Sequence, residues 1–279
     1  MHTRVSIFLI VIAFAIVLSG CPSTQQTQTP PKPVAETKPT APAKPAAKKF
    51  VLTFRIGSID LTKGTGFKIE RSHLEEMAAF AKREALDVVT MQGVARYPGL
   101  TTRVDIVETF AAISNMAPAF GENTTISGRQ TGNAIFTRFP IISRTNTPFQ
   151  GLHSTGFESA LQATVDFGES QIVLVSTELP TGVPRNEILS CLSSLEQFRS
   201  YYISNPIFVA GNLPKDEMAK QFAMFKGVNP QGAATAPRIW YSAPVGSGIA
   251  PGMTIEVIEE NTRPSPLGVA TVAEFGLYK

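Results

Sequence analysis

Ile172–Pro180 reads IVLVSTELP and Ile207–Pro214 reads IFVAGNLP. Each is a run of four or five aliphatic or aromatic residues stopped by a short polar turn, the pattern of a buried strand. In layered folds of strands and helices, a rigid sheet holds the polar residues just past such strands, and binding or catalytic groups collect there. Between the two runs, Asn186–Tyr202 carries Ile188, Leu192, Leu195, Phe198 and Tyr202 along one stripe, which predicts a helix.

The same alternation extends towards both ends of the chain. Phe50–Ile56 (FVLTFRI) predicts a strand. Ser72 with Glu75 forms a capping-box pattern ahead of a helix whose Leu74, Met77, Ala78 and Ala81 recur at helical spacing. Asp87–Gln92 returns to strand, completing a strand–helix–strand unit. A second helix is predicted near Arg103–Met116, with Ile106, Val107, Phe110 and Ile113 on one face. Strand patterns follow at Gly132–Phe136, Thr137–Ile142, Ala160–Phe167 and Gln171–Ser176. Beyond Ile207–Ala210, a short helix is expected at Lys215–Phe225, opened by Pro214. Strands are expected again at Arg238–Ser242, Thr254–Glu259 and Val269–Tyr278. This order suits an α+β sandwich of four layers, two packed mixed sheets flanked by helices.

In wording and order these segments resemble the endonuclease/exonuclease/phosphatase superfamily, the metal-dependent phosphoesterases related to DNase I. Leu86–Gln92 resembles the family's Pro-Asp-Val-Val-x-Leu-Gln-Glu, and Gly132–Ile141 its Gly-Asn-Ala-Ile-Leu-Ser-Arg-x-Pro-Ile. The two opening runs resemble strands that in the family end in Thr-His-Leu and Gly-Asp-x-Asn. The resemblance spans almost all of 50–279. It implies in-line attack of water on a phosphate ester, with a Mg²⁺-like ion held by a carboxylate and an amide and a His–Asp pair activating the water.

This chain departs from that pattern at each catalytic position. Arg55 stands for the first strand's metal amide, and Gln92-Gly93 replaces Gln-Glu, so the metal carboxylate is gone. Glu178 replaces the His of Thr-His-Leu. Asn212 and Pro214 replace the Asp and Asn of the second turn. Trp240 replaces the Asp of an Ile-Asp-Tyr strand. Ser265 and Pro266 fall where the closing Ser-Asp-His should be, without its Asp–His pair. Gln92, Gly132, Asn133, Arg138 and Pro140 survive and read as structural. No catalytic residue, metal ligand or cofactor is therefore expected; Mg²⁺ enters only if relocated acids such as Glu158, Asp216 or Glu217 sustain a divergent phosphodiesterase or phosphatase. Between Phe50 and the C-terminus stand only two histidines, His73 in the predicted cap and His153 in a polar loop. Arg55 is expected to stand in for the metal's charge and pair with Glu178. Trp240-Tyr241 reads either as core or as part of a binding surface.

The N-terminus has a basic start, an apolar Val5–Leu18 interrupted only by Ser6, and then Leu18-Ser19-Gly20-Cys21, the layout of a secretory signal. The Leu-Ser-Gly-Cys ending resembles a bacterial lipoprotein signal. It implies cleavage of residues 1–20 and lipid on Cys21, with acyl chains such as palmitate anchoring the protein to a membrane of the cell envelope, outside the cytoplasm. Residues 21–49 are rich in Pro, Lys, Thr and Ala and read as a disordered tether. In an extended polyproline regime it reaches on the order of 85 Å, at about 3.1 Å per residue.

The chain holds 25 Lys+Arg and 22 Asp+Glu. Arg4, Lys32, Lys38, Lys44, Lys48, Lys49 and Glu36 precede Phe50, which leaves 19 basic and 21 acidic side chains in the folded part, a net of −2. A domain without basic excess lacks the electrostatic footprint for a phosphate backbone, so nucleic acid is not the expected partner. The expected partners are the membrane, through Cys21, and an envelope protein, a glycan or a phosphate-bearing lipid that Arg55 helps to hold. With Cys21 lipidated, Cys191 is the remaining cysteine and reads as a small core residue.

Overall fold

The computed structural model describes residues 49–61, 69–98, 103–149, 159–168, 170–179, 186–187, 189–191, 193, 205–213, 225–228, 237–243 and 253–279. Cys21, His153, Glu158, Pro214, Asp216 and Glu217, most of the two helices expected at Asn186–Tyr202 and Lys215–Phe225, and the signal and tether lie outside them.

Two six-stranded mixed sheets form from 47–279. The first has the order β11(Thr254–Ser265)–β12(Gly268–Tyr278)–β1(Phe50–Asp60)–β2(Val88–Arg96)–β4(Arg129–Thr137)–β3(Ala117–Ile126). The second has the order β5(Ile141–Pro148)–β6(Ser159–Asp166)–β7(Gln171–Glu178)–β8(Ile207–Asn212)–β10(Arg238–Ser242)–β9(Lys226–Val228). The sheets share one topology. A parallel pair, β1/β2 or β7/β8, sits at the centre, with an antiparallel hairpin added on each side. The sequence carries no visible repeat, yet the two sheets repeat each other in strand order and direction.

Period-two alternation sorts the strand residues into layers. Phe54, Ile56, Val88, Ile135 and Phe275 of the first sheet pack on Leu161, Leu174, Phe208 and Ile239 of the second. Phe208 and Phe275 stand edge-on at 4.8 Å, and Phe54 meets Phe208 at 5.1 Å, the arrangement ring quadrupoles favour. On the other face of the first sheet, α1(Arg71–Arg83) and α2(Ile106–Ser114) bury Leu74, Met77, Phe80 and Phe110 against Ile59, Val89 and Met91. On the other face of the second sheet, Cys191, from a helical stretch, packs with Val173, Val209 and Trp240. Helix, sheet, sheet and helix make the four layers.

Several boundaries move. β1 runs on past Ile56 to Asp60, because Gly57–Ile59 stay paired with β12 on one side and β2 on the other. The cap of α1 is Glu70, not Ser72: the Glu70 N–H donates to His73 Nδ1 at 3.1 Å. α2 is shorter than expected, with Asp105 accepting from the Glu108 N–H at 3.0 Å and Asn115 left-handed at its end. Pro140 separates β4 from β5 instead of lying within one strand. β3 and β9 have no counterpart in the pattern reading. β3 alternates weakly, with Ala119 and Gly121 inward, and β9 is three residues long.

Candidate functional site

As strand after strand approaches one end of the sandwich, its inward face changes from apolar to polar. Phe54 and Ile56 give way to Ser58 and Asp60, and Val88 to Thr90 and Gln92. In the second sheet Ile172 and Leu174 give way to Ser176 and Glu178, and Phe208 and Ala210 to Asn212. The antiparallel neighbours add Asn133, Ser159 and Thr271 at the same level. The carboxyl ends of both parallel pairs therefore meet in one polar layer. Each pair ends on a carboxylate in register with a carboxamide, Asp60 with Gln92 and Glu178 with Asn212.

The layer is buried and ties the sheets together. Ser58, Gln92, Asn133, Ser176, Thr177 and Thr271 are fully buried, and Asp60 is 5% exposed. Gln92 Nε2 donates to Ser176 Oγ at 3.0 Å, and Ser176 Oγ reaches the Met91 carbonyl at 3.5 Å. Asn133 Nδ2 and Thr177 Oγ1 both donate to the Ser159 carbonyl at 3.0 Å. Thr271 Oγ1 donates to the Pro237 carbonyl. Ser159 Oγ lies 2.6 Å from Asn123 Oδ1 and 2.7 Å from Asn146 Oδ1. Four buried oxygens of the layer, Ser58 Oγ, Thr90 Oγ1, Gln92 Oε1 and Asn133 Oδ1, have no hydrogen-bond partner among the described residues. The Asn133 oxygen is fixed as the acceptor end, because its nitrogen faces a carbonyl.

Gly93 and Gly211 shape the turns. Gly93 has φ +69° at a bulge where the β2/β4 register slips between Met91 and Val94, a conformation that glycine adopts freely. At Gly211, with φ +149°, a Cβ would sit 1.7 Å from the Thr177 carbonyl oxygen, so the two parallel strands close on each other only because that atom is missing.

The expected site residues fall into two groups. Gln92, Gly93, Asn133, Glu178 and Asn212 come together at this end. Ser265 and Pro266 form the tight β11–β12 turn just beyond the end of β1, with Ser265 Oγ donating to the Gly268 carbonyl at 2.7 Å.

Arg55 is not in this group. It lies five residues before Asp60 on β1, about 16 Å away at the usual rise of a strand. Its guanidinium bonds Glu259 at 3.2 Å and comes within 3.9 Å of Glu274, and its backbone N–H donates to Asp87. Glu259 also meets Arg263, so this is an ion network on the helix-bearing face of the first sheet. The expected pairing of Arg55 with Glu178 is thus replaced by pairing with Glu259 and Glu274. β1 reaches the cleft at Asp60, which the pattern reading missed. The signal was present: Phe54, Ile56, Ser58 and Asp60 mirror Val88, Thr90 and Gln92 at period two.

Trp240 resolves to core: it packs on the outward face of the second sheet, 5% exposed, away from the polar layer. His73 sits in the cap of α1, outside the cleft.

The residues present do not fit the divalent ion that the resemblance implies. Gly93 has no side chain where the carboxylate should be, and the Gln92 nitrogen, a donor, is turned to Ser176. Among the described residues no group of three or more His, Cys, Asp or Glu side chains gathers anywhere. Among the described residues, the layer offers neutral oxygens and the carboxylates of Asp60 and Glu178. Such groups suit holding a ligand or an ion; they supply no imidazole to activate water.

Known structures share this architecture. The endonuclease/exonuclease/phosphatase from Beutenbergia cavernae is 15% identical, with a TM-score of 0.61 over 81% of this chain and 72% of that one. D. rerio TDP2, complexed with a single-strand DNA product, is 13% identical, with a TM-score of 0.60 over 80% of this chain and 98% of that one. The human Nocturnin catalytic domain, with bound sulfate, is 15% identical, with a TM-score of 0.58 over 82% of this chain and 97% of that one. No family model matches the chain, and no curated protein matches it. The fold is the DNase I-like sandwich of the endonuclease/exonuclease/phosphatase proteins.

Proposed function

We propose that this chain is a membrane-anchored bacterial lipoprotein whose endonuclease/exonuclease/phosphatase-like domain does not cleave phosphate esters and acts as a binding or structural module of the cell envelope. The observation that carries the reading is the makeup of the polar layer. The carboxyl ends of the parallel pairs converge as an active site requires, and they bring Gly93 without a carboxylate and Glu178 and Asn212 without a histidine. Hydrolysis needs a group to take water's proton and a cation to offset phosphoryl charge. The partner classes remain an envelope protein, a glycan or a phosphate-bearing lipid, but Arg55 no longer helps to hold the last of these.

The place where the chain enters the domain agrees with presentation on a tether. Lys49 and Lys279 exchange backbone hydrogen bonds at 2.7 and 2.8 Å at the start of β1. The polar layer lies at the other end of that eleven-residue strand, about 33 Å away at 3.3 Å per residue.

One observation favours the alternative, a divergent metal-dependent phosphodiesterase or phosphatase: Asp60 places a buried carboxylate beside Gln92. Hydrolysis of a generic phosphodiester by the purified full chain, with Mg²⁺ or Mn²⁺ and with chelator, separates the two. The binding reading predicts no turnover above a buffer blank. Metal-dependent turnover abolished by both chelator and Asp60→Asn establishes the enzyme. For the anchor, Cys21→Ser is expected to move the protein from the membrane fraction to the soluble one and to abolish palmitate labelling.

A further inference from the structure

We infer that the polar layer holds one alkali cation, seated over the corner of the first sheet formed by Ser58, Asp60, Thr90 and Gln92. Ser58 is in register with Thr90, and Asp60 with Gln92, on adjacent parallel strands. Their inward side chains rise from a rectangle of roughly 4.8 by 6.6 Å, the strand spacing by two residue rises. Ser58 and Gln92 are fully buried and Thr90 is 1% exposed. At this corner Ser58 Oγ, Thr90 Oγ1 and Gln92 Oε1 have no hydrogen-bond partner among the described residues. The orientation of the Gln92 amide follows from its surroundings: Ser176 Oγ reaches the Met91 carbonyl and accepts from Gln92 Nε2, which leaves the oxygen for the corner.

Buried polar atoms without partners are rare in folded proteins, and several at one corner point to a bound ion or water. The donor chemistry selects among ions. Mg²⁺ sheds water reluctantly and is held by one or two carboxylates together with substrate phosphates and several retained waters. This corner is buried, and three of its four side chains are neutral. Alkali ions instead exchange their hydration shell for neutral carbonyl and hydroxyl oxygens. The inference rests on the reading that the fold's divalent ion has been lost.

Thermal unfolding of the full chain in detergent tests it, in NaCl or KCl against choline chloride at equal ionic strength, with MgCl₂ as a further arm. An alkali salt is expected to raise Tm over choline by roughly 3–6 °C at ten times its Kd. Thr90→Val and Gln92→Met, each close in shape to the residue replaced, are expected to abolish the rise; either suffices if the other fails to fold. Equal Tm in alkali and choline salts means that ordered water fills the corner; the inference then falls while the binding-module reading stands. A rise with Mg²⁺ and not with alkali ions overturns both. An alkali rise that persists in both variants arises elsewhere and overturns the inference.

Discussion

Gly211→Ala tests how tightly the two strand ends are held together. Gly211 is in register with Thr177 across the parallel pair β7/β8. A Cβ built there lies 1.7 Å from the Thr177 oxygen and 2.8 Å from its carbonyl carbon, whereas real Cβ contacts do not fall below 3.0 Å. The obstacle is backbone, so one strand must move by more than an ångström. That displacement pulls on the Leu179 N–H to Asn212 carbonyl bond of 3.1 Å and the Thr177 to Ser159 bond of 3.0 Å, each worth about 1 kcal/mol net. The unfavourable φ adds about 1–3 kcal/mol. The total is about 3–5 kcal/mol, a fall in Tm of roughly 10 °C or more for a domain of this size. Gly168→Ala is the control. Its φ of +85° carries the conformational penalty, but a Cβ there meets nothing within 4 Å, so it loses only the backbone part, about 1 kcal/mol. Thermal unfolding of both variants isolates the collision. If Gly211→Ala melts within about 3 °C of Gly168→Ala, the strand ends are looser than described and the polar layer is not the rigid feature claimed.

Two further outcomes follow from contacts at the other end of the sandwich. A double-mutant cycle on Arg55→Met and Glu259→Gln should give a coupling of about 0.3–1 kcal/mol, small because both groups are partly exposed, whereas Arg55→Met with Glu178→Gln should be additive within about 0.5 kcal/mol; the reverse result would return Arg55 to the cleft. Burial, with Glu260 adding to it, pushes the Tyr241 phenol above its ordinary 10.0. The folded state therefore keeps a proton that the unfolded chain gives up. Stability from this residue is intact below pH 10 and is lost as pH rises from there through the raised value. Urea unfolding across that window should show a decline that Tyr241→Phe flattens; an unchanged decline in the variant excludes Tyr241 as its source.

The sandwich was legible because its central strands are buried on both faces. Ile172–Val175 and Ile207–Ala210 are continuous apolar runs, and Val88–Met91 is broken only by Thr90. Edge strands were not legible for the same reason reversed. β3 is half exposed, with Ala117, Pro118 and Glu122 open to solvent, and β9 is held by pairing with Tyr241 and Trp240 more than by its own sequence. Within the site, Gln92, Gly93, Glu178 and Asn212 were found because each ends an apolar run. Asp60 was missed because Gly57 and Ser58 weaken the strand pattern just before it, and only the pairing to β2 and β12 shows that β1 continues. Arg55 was misplaced by the same error: a strand cut short at Ile56 brings its arginine close to the catalytic end. Arg55, Glu259 and Arg263 are brought together by the β1–β12–β11 order, a contact across some two hundred residues that no local spacing encodes.

Titration of Mn²⁺ into the purified full chain by calorimetry addresses the loss of the divalent ion most directly, because it reads binding without presuming a substrate. The account predicts no saturable heat and no difference between the wild type and Asp60→Asn. A single saturating site that Asp60→Asn removes would contradict it, placing a working divalent centre at the end of β1.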